Sequence, residues 1–265
     1  MAVNDGFTMA GYADLLDAIA EAGYDTLTVR EYLTAGRLPE RFVVLRHDVD
    51  RKPDNAERMA ELEAEYGVRA TYYYRARTFS PERVQRVEAL GHEVGYQYED
   101  YADAGGDTEL AHALFRNNLR VFRRACDVDT VCMHDTPLSP HDNQELWAGA
   151  EAPGFADYDL VGDAYLSVDF VDVPYFSDVG RTWTDVPTGV ERRAVGCHDK
   201  PVSADTTSAL TRLLHDRELD RACLLVHPNR WVDSLPELVV ERSKERAANL
   251  VKRGVGLFED DTATS

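Results

Sequence analysis

"FVVLRHDVDRKPDN" (residues 42–55) sets a valine-rich apolar run directly against a histidine and two aspartates, then a proline. A short apolar run closed by a turn signal reads as a strand buried on both faces, the kind found in parallel sheets. Alternation along that strand puts Arg46, Asp48 and Asp50 on one side and turns His47 to the other. The two carboxylates then lie about 6.6 Å apart and repel by roughly 2.5 kcal/mol at an effective dielectric of about 20. Something positive belongs beside them: a bound divalent cation, Arg46 or Arg75.

Outward from this strand the same grammar repeats. Residues 53–68 space Ala56, Met59, Ala60, Leu62 and Tyr66 along one helical face that Gly67 ends. Strand-like runs follow at 69–75 ("RATYYYR"), 92–98 ("HEVGYQY"), 130–134 ("TVCMH"), 158–165 ("YDLVGDAY"), 171–178 ("VDVPYFSD") and 221–227 ("RACLLVH"). Helical patterns separate them at 80–91, with Ser80 as cap and Pro81 first, at 108–126, at 140–149, and at 203–216 with Ser203 or Asp205 as cap. A terminal helix is expected over 235–254, stopped by Gly254.

Strands alternating with helices imply parallel pairing through right-handed crossovers. About seven strands over this length predict an α/β fold, a distorted (β/α) barrel, closed or nearly so. The reading is a helical prelude over 1–40, built from helices at 12–24 and 29–36, a barrel over 41–258 and a disordered tail over 259–265.

Composition narrows the function. Acids outnumber bases 48 to 29, for a formal charge of −19 spread along the chain. Such a surface repels nucleic acid and anionic lipid, and its self-repulsion suits a salt-rich, halophilic cytoplasm. No stretch approaches the roughly 18 apolar residues of a membrane span, and the start lacks a signal-peptide pattern, so a cytoplasmic location is expected. Cys126, Cys132, Cys197 and Cys223 form no CxxC pair and read as buried small hydrophobes. Nothing marks a dimer face.

In β/α barrels the chemistry gathers at the C-terminal ends of the strands. Here those ends carry His47, Asp48 and Asp50; Tyr74 and Arg75; Gln97 and Glu99; His134 and Asp135; Asp178, with Arg181 and Trp183 just beyond; and His227. Carboxylates and imidazoles converging on one rim are the usual donors to zinc and related ions. His92, His112, His141 and His215 have mainly structural readings, and two of Tyr72, Tyr73 and Tyr74 belong to the core. Trp231 either walls the pocket or packs.

Together these residues resemble the polysaccharide deacetylase family, the NodB homology domain of carbohydrate esterase family 4, over most of the chain after residue 40. "HDVD" is similar to a variant of the family's first motif, "ALGHEVGYQYEDY" to its second and "LLVHPNRW" to its last. The resemblance implies Asp48 as catalytic base, Asp50 as metal ligand, His227 as general acid, and a divalent metal, zinc by preference, that activates water. Gln97 and Tyr101 stand where the family has two metal histidines, so His134 or His47 would complete the metal set. Gln97, Tyr74, Arg75, Asp178, Arg181 and Trp183 are expected to hold substrate or orient the acid. The implied activity is hydrolysis of a C–N bond, deacetylating a glycan or small N-acyl substrate. The alternatives are an inert barrel that binds a glycan or protein partner, and metal-free chemistry by Asp48 and His227.

Overall fold

The computed structural model describes residues 6–136, 139–149, 151–183, 204–234 and 236–238. The chain opens with α1 (Met9–Glu21), whose first turn is capped where Thr8 accepts from the Gly11 N–H. β1 (Asp25–Leu27) and α2 (Val29–Thr34) follow, α2 with a reciprocal cap between Thr28 and Glu31. Then come β2 (Phe42–Val49), α3 (Pro53–Glu65), β3 (Thr71–Tyr74), α4 (Pro81–Ala89), β4 (Glu93–Tyr98), the single turn α5 (Asp100–Asp103), α6 (Thr108–Phe122) and β5 (Thr130–Met133). Two 3₁₀ turns, β6 (Gly162–Asp163), β7 (Tyr175–Ser177), α7 (Thr207–His215), β8 (Arg221–Val226) and a third 3₁₀ turn (Pro228–Arg230) complete the described elements.

All the strand pairs are parallel, in the order β6-β5-β4-β3-β2-β8-β7, and every residue of β2 is buried. β1 pairs with Phe42–Val44 and β3 with Arg46–Val49, so the two share one edge of β2 end to end. The prelude is therefore part of the sheet as well as helical. The sheet curls until its outer strands approach: the Tyr165 hydroxyl, just past β6, lies 3.2 Å from the Tyr175 hydroxyl of β7.

Alternation on β2 divides the core. Val43, Leu45 and Val49 face the helices, while Phe42 and Val44 face the inside of the curl together with Tyr73, Cys132, Tyr175 and Leu225. Gly95 on β4 makes room for that interior, because a Cβ there would stand 2.3 Å from the Tyr73 ring. The N-terminal end of the barrel is sealed by Glu93, which accepts from Thr71, Thr130 and the Arg30 N–H at the first turn of α2.

Several local expectations shift. Residues 140–149 form a 3₁₀ turn (Asn143–Trp147) instead of an α-helix, and the strand at 158–165 shortens to Gly162–Asp163. Thr206, not Asp205, caps α7 by accepting from the Ala209 N–H, and Ser203 lies outside the described residues. Ser80 precedes α4 without a side-chain cap. Cys197, most of the expected terminal helix and the tail lie outside the described residues. Among the described residues no helix is long and apolar enough to cross a membrane.

Candidate active site

Because every strand runs the same way, the C-terminal ends of β2, β3, β4, β5, β7 and β8 open on one rim. The innermost charge there is Arg46. Its guanidinium is wholly buried, stacks 4.3 Å from the Tyr165 ring centre, donates to the Ala164 carbonyl at 3.2 Å, and reaches both oxygens of Asp48 at 3.0 and 3.1 Å. The positive partner that the paired aspartates need is thus, for Asp48, the arginine two residues earlier on the same strand. Gln97 on β4 donates to Asp48 at 3.3 Å. Asp48 is 3% exposed.

Asp50 sits above this pair, where the chain leaves β2. Its Oδ1 is 3.2 Å from Nδ1 of His134, which follows β5. That ring nitrogen is also 3.2 Å from the Gln97 amide nitrogen, and it serves one neighbour or the other. Asp50 Oδ1 meets the ring as an ion pair without an aligned hydrogen bond; because a carboxylate stabilises a proton on Nδ1 and an amide N–H does not, we assign Nδ1–H to the Asp50 side. Nε2 of His134 then carries the lone pair, and it makes no hydrogen bond among the described residues. Burial pushes the Asp50 carboxyl up, but the His134 bond and the charges of His227, His134 and Arg75 outweigh it and hold the group below the usual range. The Asn143 side chain fixes the base of this loop, donating to the His134 carbonyl at 2.8 Å and accepting from the Ala102 N–H at 2.9 Å.

Across the mouth, Asp178 follows β7 and is fully buried. Its Oδ1 lies 2.6 Å from Nδ1 of His227, and its Oδ2 accepts from the His227 backbone N–H at 2.8 Å and from the Trp231 indole at 3.0 Å. All three neighbours donate, which fixes Asp178 as an anion and His227 with its proton on Nδ1. Burial alone would lower the His227 pKa, but the Asp178 charge and hydrogen bond overcome it and raise the imidazole above its ordinary value. Asp178 is lowered in turn, burial being outweighed by His227 and Arg230. Nε2 of His227 makes no hydrogen bond among the described residues, and the ring is 6% exposed.

The rim therefore holds two carboxylate–imidazole pairs, Asp50–His134 and Asp178–His227, with Asp50 close enough to feel both rings. Arg75 stands beside them, paired with Glu99, which Arg77 also holds at 2.6 Å.

Other expected members go elsewhere. His47 faces the helices: its Nε2 is 2.7 Å from Glu63 on α3, in a buried cluster where Glu63 also accepts from Tyr12 and Tyr72, the latter at 2.7 Å. It is on the wrong face of the strand to share a metal with Asp50. Tyr74 is in register with Val49 and packs among the helices as well, so it lines no rim. Trp183 packs against Phe7 and Trp231 and donates to Thr207 at 3.1 Å, away from the mouth. Arg181 donates to the Arg230 carbonyl. Tyr101 lies edge-on to His141, 5.9 Å between ring centres, and not beside Gln97. His92 is tied to backbone, accepting from the Ala70 N–H and donating to the Ala60 carbonyl.

The described residues do not fit the zinc site that the resemblance implies. Such a site takes at least three protein donors of imidazole, thiolate or carboxylate type. Asp50 and His134 meet, but the next neighbour is an amide nitrogen, Asp48 is occupied by Arg46, and among the described residues no group of three such side chains converges. Arg46 takes the place beside the acids that alternation gives it; Glu63 goes unread in the sequence, because Tyr12, His47 and Tyr72 reach it from three other elements.

No protein-family model matches the chain, and no curated protein does. Similar solved structures include a CE4 family pseudoenzyme from Bacillus anthracis (13% identity, TM-score 0.45, covering 80% of this chain and 63% of that one) and a mutant of it with restored enzymatic activity (13%, 0.45, 82% and 65%). This chain thus spans just under two-thirds of the length of those two. It is also similar to a Streptococcus mutans CE4 esterase, at 14% identity and TM-score 0.46, covering 82% of this chain and 86% of that one.

Proposed function

We propose that the chain is a deacetylase-like hydrolase of C–N bonds, cleaving the amide of a carbohydrate or small N-acyl substrate at the rim between His134 and His227. The observation that carries this is the pair of carboxylate–imidazole couples with both Nε2 atoms unengaged among the described residues. In this reading Nε2 of His134 takes a proton from water as the water oxygen attacks the acyl carbon, and Asp50 steadies the imidazolium that forms. His227, kept as the imidazolium by Asp178, then gives its Nε2 proton to the nitrogen as the C–N bond breaks and keeps the one on Nδ1, giving a carboxylic acid and an amine. Both oxygens of Asp48 are taken by Arg46, and Gln97 donates to one of them as well, so the acid is already engaged. Its part is to anchor the Gln97 amide below the mouth.

Release of acetate from a panel of N-acetylated sugars and small amides tests the proposal. Turnover that falls about 10²–10⁴-fold in His227→Asn supports it. A second reading, an inert barrel that binds a glycan, draws on the Arg46–Asp48 pair and the two-ligand limit at Asp50. It predicts sugar binding unchanged in His227→Asn, with no acetate released by either protein.

A further inference from the structure

The turn after β8, Pro228–Arg230, is pinned on every side but one. Asn55 donates to the Pro228 carbonyl at 3.1 Å and to the Trp231 carbonyl at 3.0 Å. Arg181, in a left-handed conformation at φ 55°, donates to the Arg230 carbonyl, and Asp178 holds His227 and Trp231 at either end. With three carbonyls and both flanking residues held by side chains from other elements, the turn is fixed in place.

The Arg230 side chain is held to this only by charge. Its Nε is 3.6 Å from Oδ1 of Asp178, the same oxygen that holds His227, too long for a hydrogen bond. Both Asp178 oxygens are already taken. The terminal nitrogens of Arg230 have no hydrogen bond among the described residues, and the side chain keeps 20% of its surface exposed. Its Nε in an ion pair with Asp178, the guanidinium beside the acid imidazole still turns two terminal nitrogens to no acceptor among the described residues, a local positive site in a protein of net charge −19.

The geometry points to Arg230 as a specificity-determining residue that binds an anionic group, a carboxylate or phosphate, on the substrate next to the amide that His227 protonates. This rests on the His227 mouth being the substrate site. A guanidinium and a carboxylate meet through two parallel N–H···O bonds, which lysine cannot reproduce.

The test is a matched pair of probes, N-acetylglycine and its neutral amide N-acetylglycinamide, bound to the full chain at low salt and followed through the His227 ring resonances. The measured quantity is the ratio of the two dissociation constants in wild type divided by the same ratio in Arg230→Gln, so the general repulsion by the acidic surface cancels. A charged hydrogen-bonded contact predicts a change of about tenfold or more, partly restored in Arg230→Lys. A ratio unchanged in Arg230→Gln, with melting behaviour like wild type, overturns the inference. Failure of the hydrolase reading is separate: it appears as anion preference without turnover, whereas turnover without preference sinks Arg230's role alone.

Discussion

Replacing Asp178 by asparagine keeps the size of the side chain and removes its charge. All three groups that touch it are donors, the His227 ring, the His227 backbone N–H and the Trp231 indole, at 2.6, 2.8 and 3.0 Å. An amide offers one accepting oxygen and turns an N–H₂ toward at least one of those donors. Loss of the charge-assisted bond costs about 1.5–3 kcal/mol, and a donor left facing an amide N–H about 1–3 more. We expect about 3–5 kcal/mol of destabilisation, the range for breaking a buried charge pair, and a melting temperature lower by about 10 °C. The pH dependence has a definite sign. His227 is raised in the folded chain, so its contribution is complete below about pH 6.5 and is lost as pH climbs through the folded value. Asp178 is lowered, so its contribution is complete above about pH 3.9 and is lost as pH falls. The gap between wild type and Asp178→Asn should therefore be widest near pH 5.5 and narrower at pH 9, while the His227 resonances of the variant titrate at lower pH. An unmoved His227 titration, or a stability gap as large at pH 9 as at pH 5.5, would refute the reasoning.

Arg46→Met leaves the Asp48 carboxylate buried without its cation and should cost about 3–5 kcal/mol in chemical denaturation, and adding Asp48→Leu should recover much of that loss. Gly95→Ala drives a methyl into the Tyr73 ring and a backbone carbonyl, so a loss of about 1–3 kcal/mol or more is expected, eased when Tyr73 is also replaced by leucine. Asp163 is raised to about 6, chiefly by burial, which means that ionising it opposes folding as pH rises through that value. Asp163→Asn can still accept from the Tyr165 and Leu166 N–H groups and should raise the melting temperature at pH 8 relative to wild type, with little effect at pH 4.

Much of this arrangement follows from period-two reasoning on one strand. The side shared by Arg46 and Asp48, the opposite side taken by His47, and the placing of acids and imidazoles at strand ends all follow from residues 42–50 and the β/α alternation. What did not follow is whatever depends on register between strands. Tyr73 and Tyr74 look equivalent in sequence, yet pairing with Asp48 and Val49 turns one into the barrel and the other toward the helices. Trp183 is near Asp178 in the chain, but Phe7 and Trp231, from the two distant ends of the fold, draw it into the core. The three-residue β1 was hidden because so short a strand carries no periodicity. Gln97 is informative in both views: a strand-end amide where the resemblance has an imidazole donates to Asp48 and ends 3.2 Å from the His134 ring.

The central claim is that His134 and His227 act as one base and one acid on a single substrate. The most direct measurement is kcat/KM against pH for an N-acetylated substrate, in the presence of chelator, for wild type beside His134→Asn and His227→Asn. The account predicts a bell-shaped wild-type profile that loses its acidic limb in the first variant and its basic limb in the second, each with a fall of about 10²–10⁴-fold. Turnover that keeps both limbs in either variant would contradict it.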